Sequence, residues 1–431
     1  MNALLKKVNK KNVKVCVIGL GYVGLPLVDR LIKKKIDTYG IDNDKNKIRK
    51  LLAGNSYIKS LNVKYFQKNK NKISHKFDLI NAVDIIIICL PTPLKKRIPD
   101  LSFIKDCIKE LIPNLKKNQL ILLESTVYPT ATQEIIISKI IKKFEIGKNF
   151  FIGYSPEREN PGDKFFSYQK TPKVASGYSS MCKSITYKFY KIFCKKVFIC
   201  ESIEVAETSK LLENLYRAVN IGLINEFKII CEKIGLDVFK IIDAASTKNF
   251  GFQKFLPGPG WGGHCIPIDP YYLSWISNKK GYKPKFIKLS GDLNRSMPKI
   301  ICKKILDYFK KLQIKKPKIL VLGVSYKKNI DDDRESPAFE FFKIFKKKNI
   351  KFEFHDPYFE KLKLGRNNSI YKRSIKIDKN RLNYFDAALI ITDHDSLDYK
   401  LIYKHSKVIF DTRGIYKKIF KNDKNNKLIF V

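Results

Sequence analysis

A chain of 431 residues is long enough for two or three domains with proper cores, and its hydrophobic fraction of 44% is that of a globular protein. The formal net charge is +44, yet the lysines are spread along the whole chain, and no compact basic block, zinc-ligand spacing or aromatic RNA-binding signature accompanies them. The charge is therefore read as a compositional bias that would draw in an anionic small substrate, with neither nucleic acid nor membrane expected as a partner.

Nine cysteines are scattered without paired spacing, and Cys16 and Cys89 lie in apolar runs. This is reduced, cytoplasmic usage. No long apolar region precedes the first strand, so no secretory leader is expected. The longest apolar run, around Ile85 to Leu90, is too short to span a bilayer.

Val13 to Ile18 reads as a buried parallel strand. Gly19-Leu20-Gly21-Tyr22-Val23-Gly24 follows at once, then a helical stretch from Leu25 to Lys35. Thr38 to Ile41 is a second strand, ended by Asp42. Strand, GxGxxG, helix, strand and an acid about 20 residues on are the full context of a dinucleotide fingerprint. Gly19, Gly21 and Gly24 allow the tight turn and a close approach of pyrophosphate to the helix N-terminus, where Tyr22 and Val23 lie. Asp42 would accept from the ribose hydroxyls and repel a 2′-phosphate, which favours NAD over NADP. A strand-end cap is its plainer role.

The βα pattern continues. Val83 to Leu90 is a strand followed by Pro91-Thr92-Pro93. Gln119 to Leu123 is another, followed by Glu124-Ser125-Thr126-Val127. Phe150 to Gly153 leads into Ser155-Pro156-Glu157-Arg158. Ligands of an open α/β sheet bind beyond the carboxyl ends of the strands, so Thr92, Ser125, Thr126 and Glu157 share one crevice. Each alone is an ordinary cap or turn residue.

Glu201 to Lys233 reads as one long helix without proline. It carries Glu207, Lys210, Asn214, Arg217 and Asn225. Lys210 and Asn214 are four apart and share a face. Such a pair is commonly solvated, but this helix is apolar on several sides and joins two halves of the chain. The segment to about Arg295 is mostly helical, interrupted by Gly260-Trp261-Gly262-Gly263-His264-Cys265-Ile266-Pro267-Ile268-Asp269-Pro270. Glycines and prolines forbid regular structure there, and a thiol held in such a loop is accessible. The alternative is a glycine-rich turn with a packed cysteine.

A second α/β unit begins at Pro317. Lys318 to Val324 is a buried strand, followed by a polar loop to Ser336 and a helix from Pro337 to Lys348. Strands follow at Lys351 to His355, Ala387 to Thr392 and Val408 to Asp411. The unit lacks GxGxxG, which suggests a different nucleotide. Arg334 and Arg413 lie in strand-end loops suited to phosphate pairing, with surface ion pairs as the plain alternative. The expected architecture is α/β: two Rossmann-like parallel-sheet domains joined by a long central helix and a helical middle domain. The boundaries are drawn at 1–200, 201–300 and 301–431.

Taken together, the GxGxxG stretch, Glu124-Ser125-Thr126-Val127, Ser155-Pro156-Glu157-Arg158, Ala206-Glu207-Thr208-Ser209-Lys210 with Asn214 and Asn225-Glu226, Gly262-Gly263-His264-Cys265 with Asp269, and Lys327 with Asp333-Arg334-Glu335-Ser336-Pro337 resemble the UDP-glucose/GDP-mannose dehydrogenase family over nearly the whole chain. The resemblance implies an NAD-dependent enzyme that oxidises a nucleotide sugar twice at C6, with no metal. The Cys265 loop, and Glu159-Asn160-Pro161-Gly162 after Arg158, are similar to the bacterial UDP-N-acetylglucosamine 6-dehydrogenase branch of surface-polysaccharide synthesis. Ile268 stands where UDP-glucose enzymes usually carry lysine, and Asn249 where they often carry arginine. UDP-glucose is thereby the alternative substrate.

The chemistry these residues permit starts with loss of hydride from a primary alcohol. The Cys265 thiolate adds to the aldehyde, a second hydride transfer gives a thioester, and water hydrolyses it. Lys210 and Asn214 stabilise the oxyanions. Asp269, Glu157 and Thr126 position water or assist proton transfer. By the resemblance, Pro91, Thr92, Ser125, Thr126 and Arg334 join the GxGxxG residues and Asp42 at NAD. Glu157, Arg158, Lys210, Asn214, Phe255, Gly262, Lys327 and Arg413 hold the UDP-sugar, and the chain forms a homodimer or larger homo-oligomer. A nucleotide-sugar or polyanion binder that kept the fold without catalysis is the reading from another class.

Overall fold

The computed structural model describes residues 2–58, 61, 63–158, 171–362, 372–420 and 426–431. Two compact units emerge. One comprises Met1–Glu213 and Tyr271–Tyr282, the other Asn214–Pro270 and Lys283–Val431. Both are α/β and each is built on a Rossmann-like sheet.

The first unit holds β1 (Lys14–Ile18), β2 (Asp37–Ile41), β3 (Ile73–Ser74), β4 (Ile85–Ile88), β5 (Leu120–Leu123), β6 (Phe151–Tyr154), β7 (Lys173–Gly177) and β8 (Val197–Ile199). They form one sheet in the order β8-β7-β6-β5-β4-β1-β2-β3. The strands from β3 to β6 run parallel, as expected from their continuous apolar runs. Ile85 to Ile88 and Leu120 to Leu122 are wholly buried, so both sheet faces are covered. β7 is an addition to the sequence reading. It runs antiparallel to β6, and β8 pairs parallel with it. Helix α1 (Gly24–Lys33) packs Leu25, Leu27, Val28 and Leu31 inward, and α2 (Ser180–Lys191) packs Cys182, Ile185 and Phe189.

The second unit holds β9 (Lys318–Leu322), β10 (Lys351–His355), β11 (Ala387–Ile390), β12 (Ile409–Asp411) and β13 (Leu428–Phe430). This sheet is parallel throughout, in the order β10-β9-β11-β12-β13. Order reverses between β9 and β11, the switch point at which such sheets open a crevice.

Helix α3 (Ile203–Lys233) has 31 residues and begins two residues later than expected. At about 1.5 Å per residue it is roughly 46 Å long. The chain passes from one compact unit to the other within it, after Glu213. Helices α4 (Asp269–Lys279) and α5 (Lys285–Lys311) follow the cysteine loop, and α5 runs through residue 300. Pro298 lies inside α5. It has no N–H for the Asn294 carbonyl one turn back. Gly260 lies against that carbonyl, so closely that a Cβ there would sit 2.7 Å from its oxygen. Helix α6 (Ala338–Lys347) buries Phe341, Phe342 and Phe345 in the second unit. Among the described residues no helix is long and apolar enough to cross a membrane.

Candidate active site

The turn after β1 is shaped by contact. Gly19 has φ +91° and lies against the Cys89 carbonyl, where a Cβ would come within 2.6 Å. At Gly21 a Cβ would meet nothing within 4 Å, so the space beside that peptide is open. Tyr22 and Val23 are exposed, Val23 is the residue before α1, and no side chain caps that helix end. Asp42, at the end of β2, is buried. Its carboxylate accepts from the Leu20 N–H at 2.9 Å and the Asp44 N–H at 2.9 Å, and pairs with Lys47 at 3.1 Å. The Tyr57 hydroxyl donates to the Leu20 carbonyl. Asp42 thus braces the glycine turn as a strand-end cap does, and Lys47 beside it was not singled out in the sequence. An open glycine turn, an uncapped helix end and an acid at the second strand suit a dinucleotide such as NAD.

The other carboxyl ends of the first sheet carry the expected polar residues. Thr92 is buried and its carbonyl accepts from the Tyr272 hydroxyl at 2.6 Å, while Pro91 is exposed. Ser125 donates to the Leu90 carbonyl at 2.8 Å, and Thr126 is half-buried beside it. Glu157 is half-buried past β6. Arg158 is engaged within the protein. One nitrogen donates to the Pro172 carbonyl at 2.6 Å and another pairs with Glu213 at 2.6 Å. Glu159-Asn160-Pro161-Gly162 lie outside the described residues.

Glu207 anchors α3 to this unit. It accepts from the Thr130 N–H at 2.7 Å, the Thr132 N–H at 2.9 Å and the Thr132 hydroxyl at 2.6 Å. Burial pushes its carboxyl up to about 7, against the pull of the threonine donors. Lys210, three residues on, is 7% exposed. It has no ion-pair or hydrogen-bond partner among the described residues. This is unusual for so buried a lysine.

In the second unit the glycines of the cysteine loop serve packing. Gly263 has φ +87°, and a Cβ there would sit 2.7 Å from the Tyr326 ring. A Cβ on Gly262 would meet Tyr326 at 2.7 Å and the Glu335 carbonyl at 3.0 Å. The close approach at these two positions is to the loop after β9. Gly263 also donates its N–H to the Arg334 carbonyl at 3.0 Å. The turn ends as the Ile268 and Asp269 N–H groups donate to the Cys265 carbonyl at 3.0 and 2.8 Å. Cys265 is exposed, and the other eight cysteines are buried. Burial pulls the His264 imidazole down to about 4, with Arg334 adding to the shift against Asp332. It pushes the Tyr326 phenol up to about 12, with Asp332 and Cys265 adding to it.

Asn214 and Asp269 meet. The amide nitrogen lies 2.5 Å from Asp269 Oδ2, with both residues buried. Asn214 Oδ1, also buried, has no hydrogen-bond partner among the described residues. The carboxylate takes one of the two amide hydrogens, which leaves the second N–H and Oδ1 for other partners.

Arg334 is exposed and forks onto Asp332, at 2.9 Å and 2.6 Å. Lys327 is half-buried on the same loop. Arg413, past β12, donates to the Ile391 carbonyl at 2.8 Å and lies against Gly258. Asn225 accepts from the Gly258 N–H at 2.9 Å and donates to Asn294 at 2.9 Å, which ties α3 and the loop at Gly258 to α5. Phe255 packs with Ile224, Cys231, Val238 and Ile242, its ring 6.0 Å from Tyr216.

Residues missed by the sequence reading include Lys173 and Tyr190, which meet Glu124 in the core of the first unit. Lysine at the first position of a strand is a common edge residue, and its partner lies 49 positions earlier, so only a polar residue inside an apolar strand context hinted at it.

Three family profiles match the chain: the UDP-glucose/GDP-mannose dehydrogenase family NAD binding domain at residues 13–194, its central domain at 204–296 and its UDP binding domain at 320–418. A UDP-N-acetyl-D-mannosamine dehydrogenase of Methanococcus maripaludis is 31% identical over 420 residues, 93% of each chain. A UDP-N-acetyl-D-glucosamine 6-dehydrogenase of Pseudomonas aeruginosa is 33% identical over 357 residues, 81% of this chain and 83% of that protein. The solved structure of a UDP-D-ManNAc dehydrogenase from Pyrococcus horikoshii superposes with a TM-score of 0.85 at 28% identity, covering 96% of this chain and 98% of that one.

Proposed function

Because the chain belongs to the UDP-glucose/GDP-mannose dehydrogenase family, and is thus an NAD-dependent nucleotide-sugar dehydrogenase, we propose that it oxidises C6 of a UDP-N-acetylhexosamine to the acid through a covalent intermediate on Cys265. The observation that carries this reading is the contrast among thiols, since Cys265 alone is exposed of nine and sits in a loop that ends in Asp269. NAD, when bound, supplies the hydride acceptor for both oxidations. Gly19, Gly21, Tyr22, Val23, Gly24 and Asp42 hold it, with Pro91, Thr92, Ser125 and Thr126 at the neighbouring strand ends.

The Cys265 thiolate attacks the aldehyde carbon, and the resulting thiohemiacetal is oxidised to a thioester that water cleaves. Lys210, buried and without a partner among the described residues, is the cation for the developing oxyanion. Asn214 steers Asp269 and offers its Oδ1 to a substrate hydroxyl, and Asp269 and Glu157 handle protons and water. Lys327 and Arg413 pair with the diphosphate. Phe255 and Gly262 shape the sugar end.

Two epimers fit the substrate reading. The loop sequence around Cys265 and Ile268 favours UDP-N-acetylglucosamine, and the full-length relatives named for UDP-N-acetylmannosamine favour the other. The test is an NADH assay with both epimers and UDP-glucose, compared by kcat/KM. Two NADH per sugar are expected. One NADH with accumulating aldehyde sinks the thioester route, and a preference for UDP-glucose sinks the hexosamine reading.

We also propose a homodimer built on α3. Val205, Leu212, Tyr216, Leu223 and Ile230 on the helix, and Ile234 just past its end, are all exposed, at steps of seven and four. That spacing makes an apolar seam suited to a second copy. Light scattering after gel filtration reads the mass, and a monomer at micromolar concentration refutes it. Reduced thiols suit a cytoplasmic enzyme.

A further inference from the structure

Lys173 opens β7 with its ammonium between two carboxylates, 3.1 Å from Glu124 Oε2 and 3.5 Å from Glu157 Oε2. The Lys173 and Glu124 side chains are 3% and 0% exposed, and that of Glu157 is 18% exposed. Tyr190 donates to the other oxygen of Glu124 at 2.6 Å, and the Lys173 ammonium lies 5.1 Å from its ring centroid. Both Glu124 oxygens are therefore engaged. The Cys89 and Cys194 thiols beside the cluster are also buried, and Glu157 Oε1 accepts from the Arg158 N–H at 3.0 Å. Burial holds the Cys89 thiol well above its ordinary range.

A buried ion pair is weak evidence for stability, because desolvation offsets much of its attraction. Stability alone therefore gives little reason to place three charges here. The member that reaches the surface is Glu157, just past the carboxyl end of β6, where ligands of such a sheet bind. A glutamate there would otherwise sample several rotamers.

We infer that Lys173, held in place by Glu124 and Tyr190, is a positioning residue that orients the Glu157 carboxylate for the oxidation. The inference rests on the role given to Glu157 above. It assigns Glu124 no contact with substrate. Glu124 fixes the ammonium, and the ammonium fixes Glu157.

The test compares Lys173→Met, Lys173→Arg, the double variant Glu124→Gln with Lys173→Met, and Glu157→Gln. Each is assayed for kcat and for KM of NAD, with melting curves on the same samples. Lys173→Met is expected to lower kcat about tenfold or more, towards the value of Glu157→Gln, with KM for NAD within about twofold. Lys173→Arg is expected to recover most of kcat. The double variant leaves no unpaired charge in the core, so it should melt near the wild type and stay slow. A double variant that melts normally and turns over normally, beside a slow Glu157→Gln, overturns the inference and leaves the role of Glu157 standing. Normal turnover in Glu157→Gln overturns both.

Discussion

Asn214 Nδ2 lies 2.5 Å from Asp269 Oδ2, which joins α3 to the first residue of α4, four positions after Cys265. Both groups are buried, so neither can turn to water if its partner is removed. Asn214→Ala and Asp269→Ala should therefore couple, by about 0.5–3 kcal/mol in a double-mutant cycle. Denaturant melts of the four proteins give the number. Strict additivity would show that the pair contributes nothing of its own.

On the proposed mechanism the thiol acts on bound substrate, so Cys265→Ala should leave nucleotide-sugar binding intact and abolish formation of the acid. Lys210→Ala should lower kcat on the order of a hundredfold, since an oxyanion partner matters where charge develops. Calorimetric binding and turnover on the same preparations check both. If the folded Cys265→Ala protein makes acid at a near-normal rate, Cys265 is a packing residue.

Asp42→Ala should weaken NAD on two accounts. The proposed ribose acceptor is lost, and the Leu20 and Asp44 N–H groups lose the carboxylate that braces the glycine turn. KM for NAD should rise about tenfold or more, and the preference for NAD over NADP should fall. Lys47→Ala removes the charge that neutralises Asp42 and should sharpen that preference. Equal use of the two dinucleotides by the wild type would refute the role of Asp42.

His264 gives the fold an acid sensitivity. Its imidazole is pulled down to about 4 from 6.5, so it stays neutral in the folded protein where the unfolded chain takes up a proton. Unfolding is thus favoured as pH falls from 6.5 towards 4, by up to about 3 kcal/mol. Above 6.5 the effect vanishes. His264→Gln should shrink the gap between melting temperatures at pH 7 and pH 5, and an unchanged gap would show that His264 is not the group responsible.

Much of this fold was legible from periodicity alone. β10 was read to the residue, and β1, β5 and β11 to within a residue or two, because continuous apolar runs between loops leave few alternatives. The glycine turn and Asp42 were legible because each answers a local backbone demand. Relations between distant positions were not. Lys173 looks like an edge residue until Glu124 and Glu157 are placed beside it, and nothing local shows that Gly262 and Gly263 lie against Tyr326. For Arg334 the sequence leaves phosphate pairing and a surface ion pair open, and its fork onto Asp332, two residues away, is such an ion pair.

The burial of eight thiols beside one exposed has a practical reach. Alkylating reagents attack the thiolate, and burial keeps Cys89, Cys107 and Cys302 protonated. A mild alkylating probe applied to the folded protein should attach once per chain, at Cys265. With Cys265 as the proposed nucleophile, label incorporated per mole of protein would count competent active centres in a preparation, and substrate that slows labelling would report occupancy of the site without any turnover.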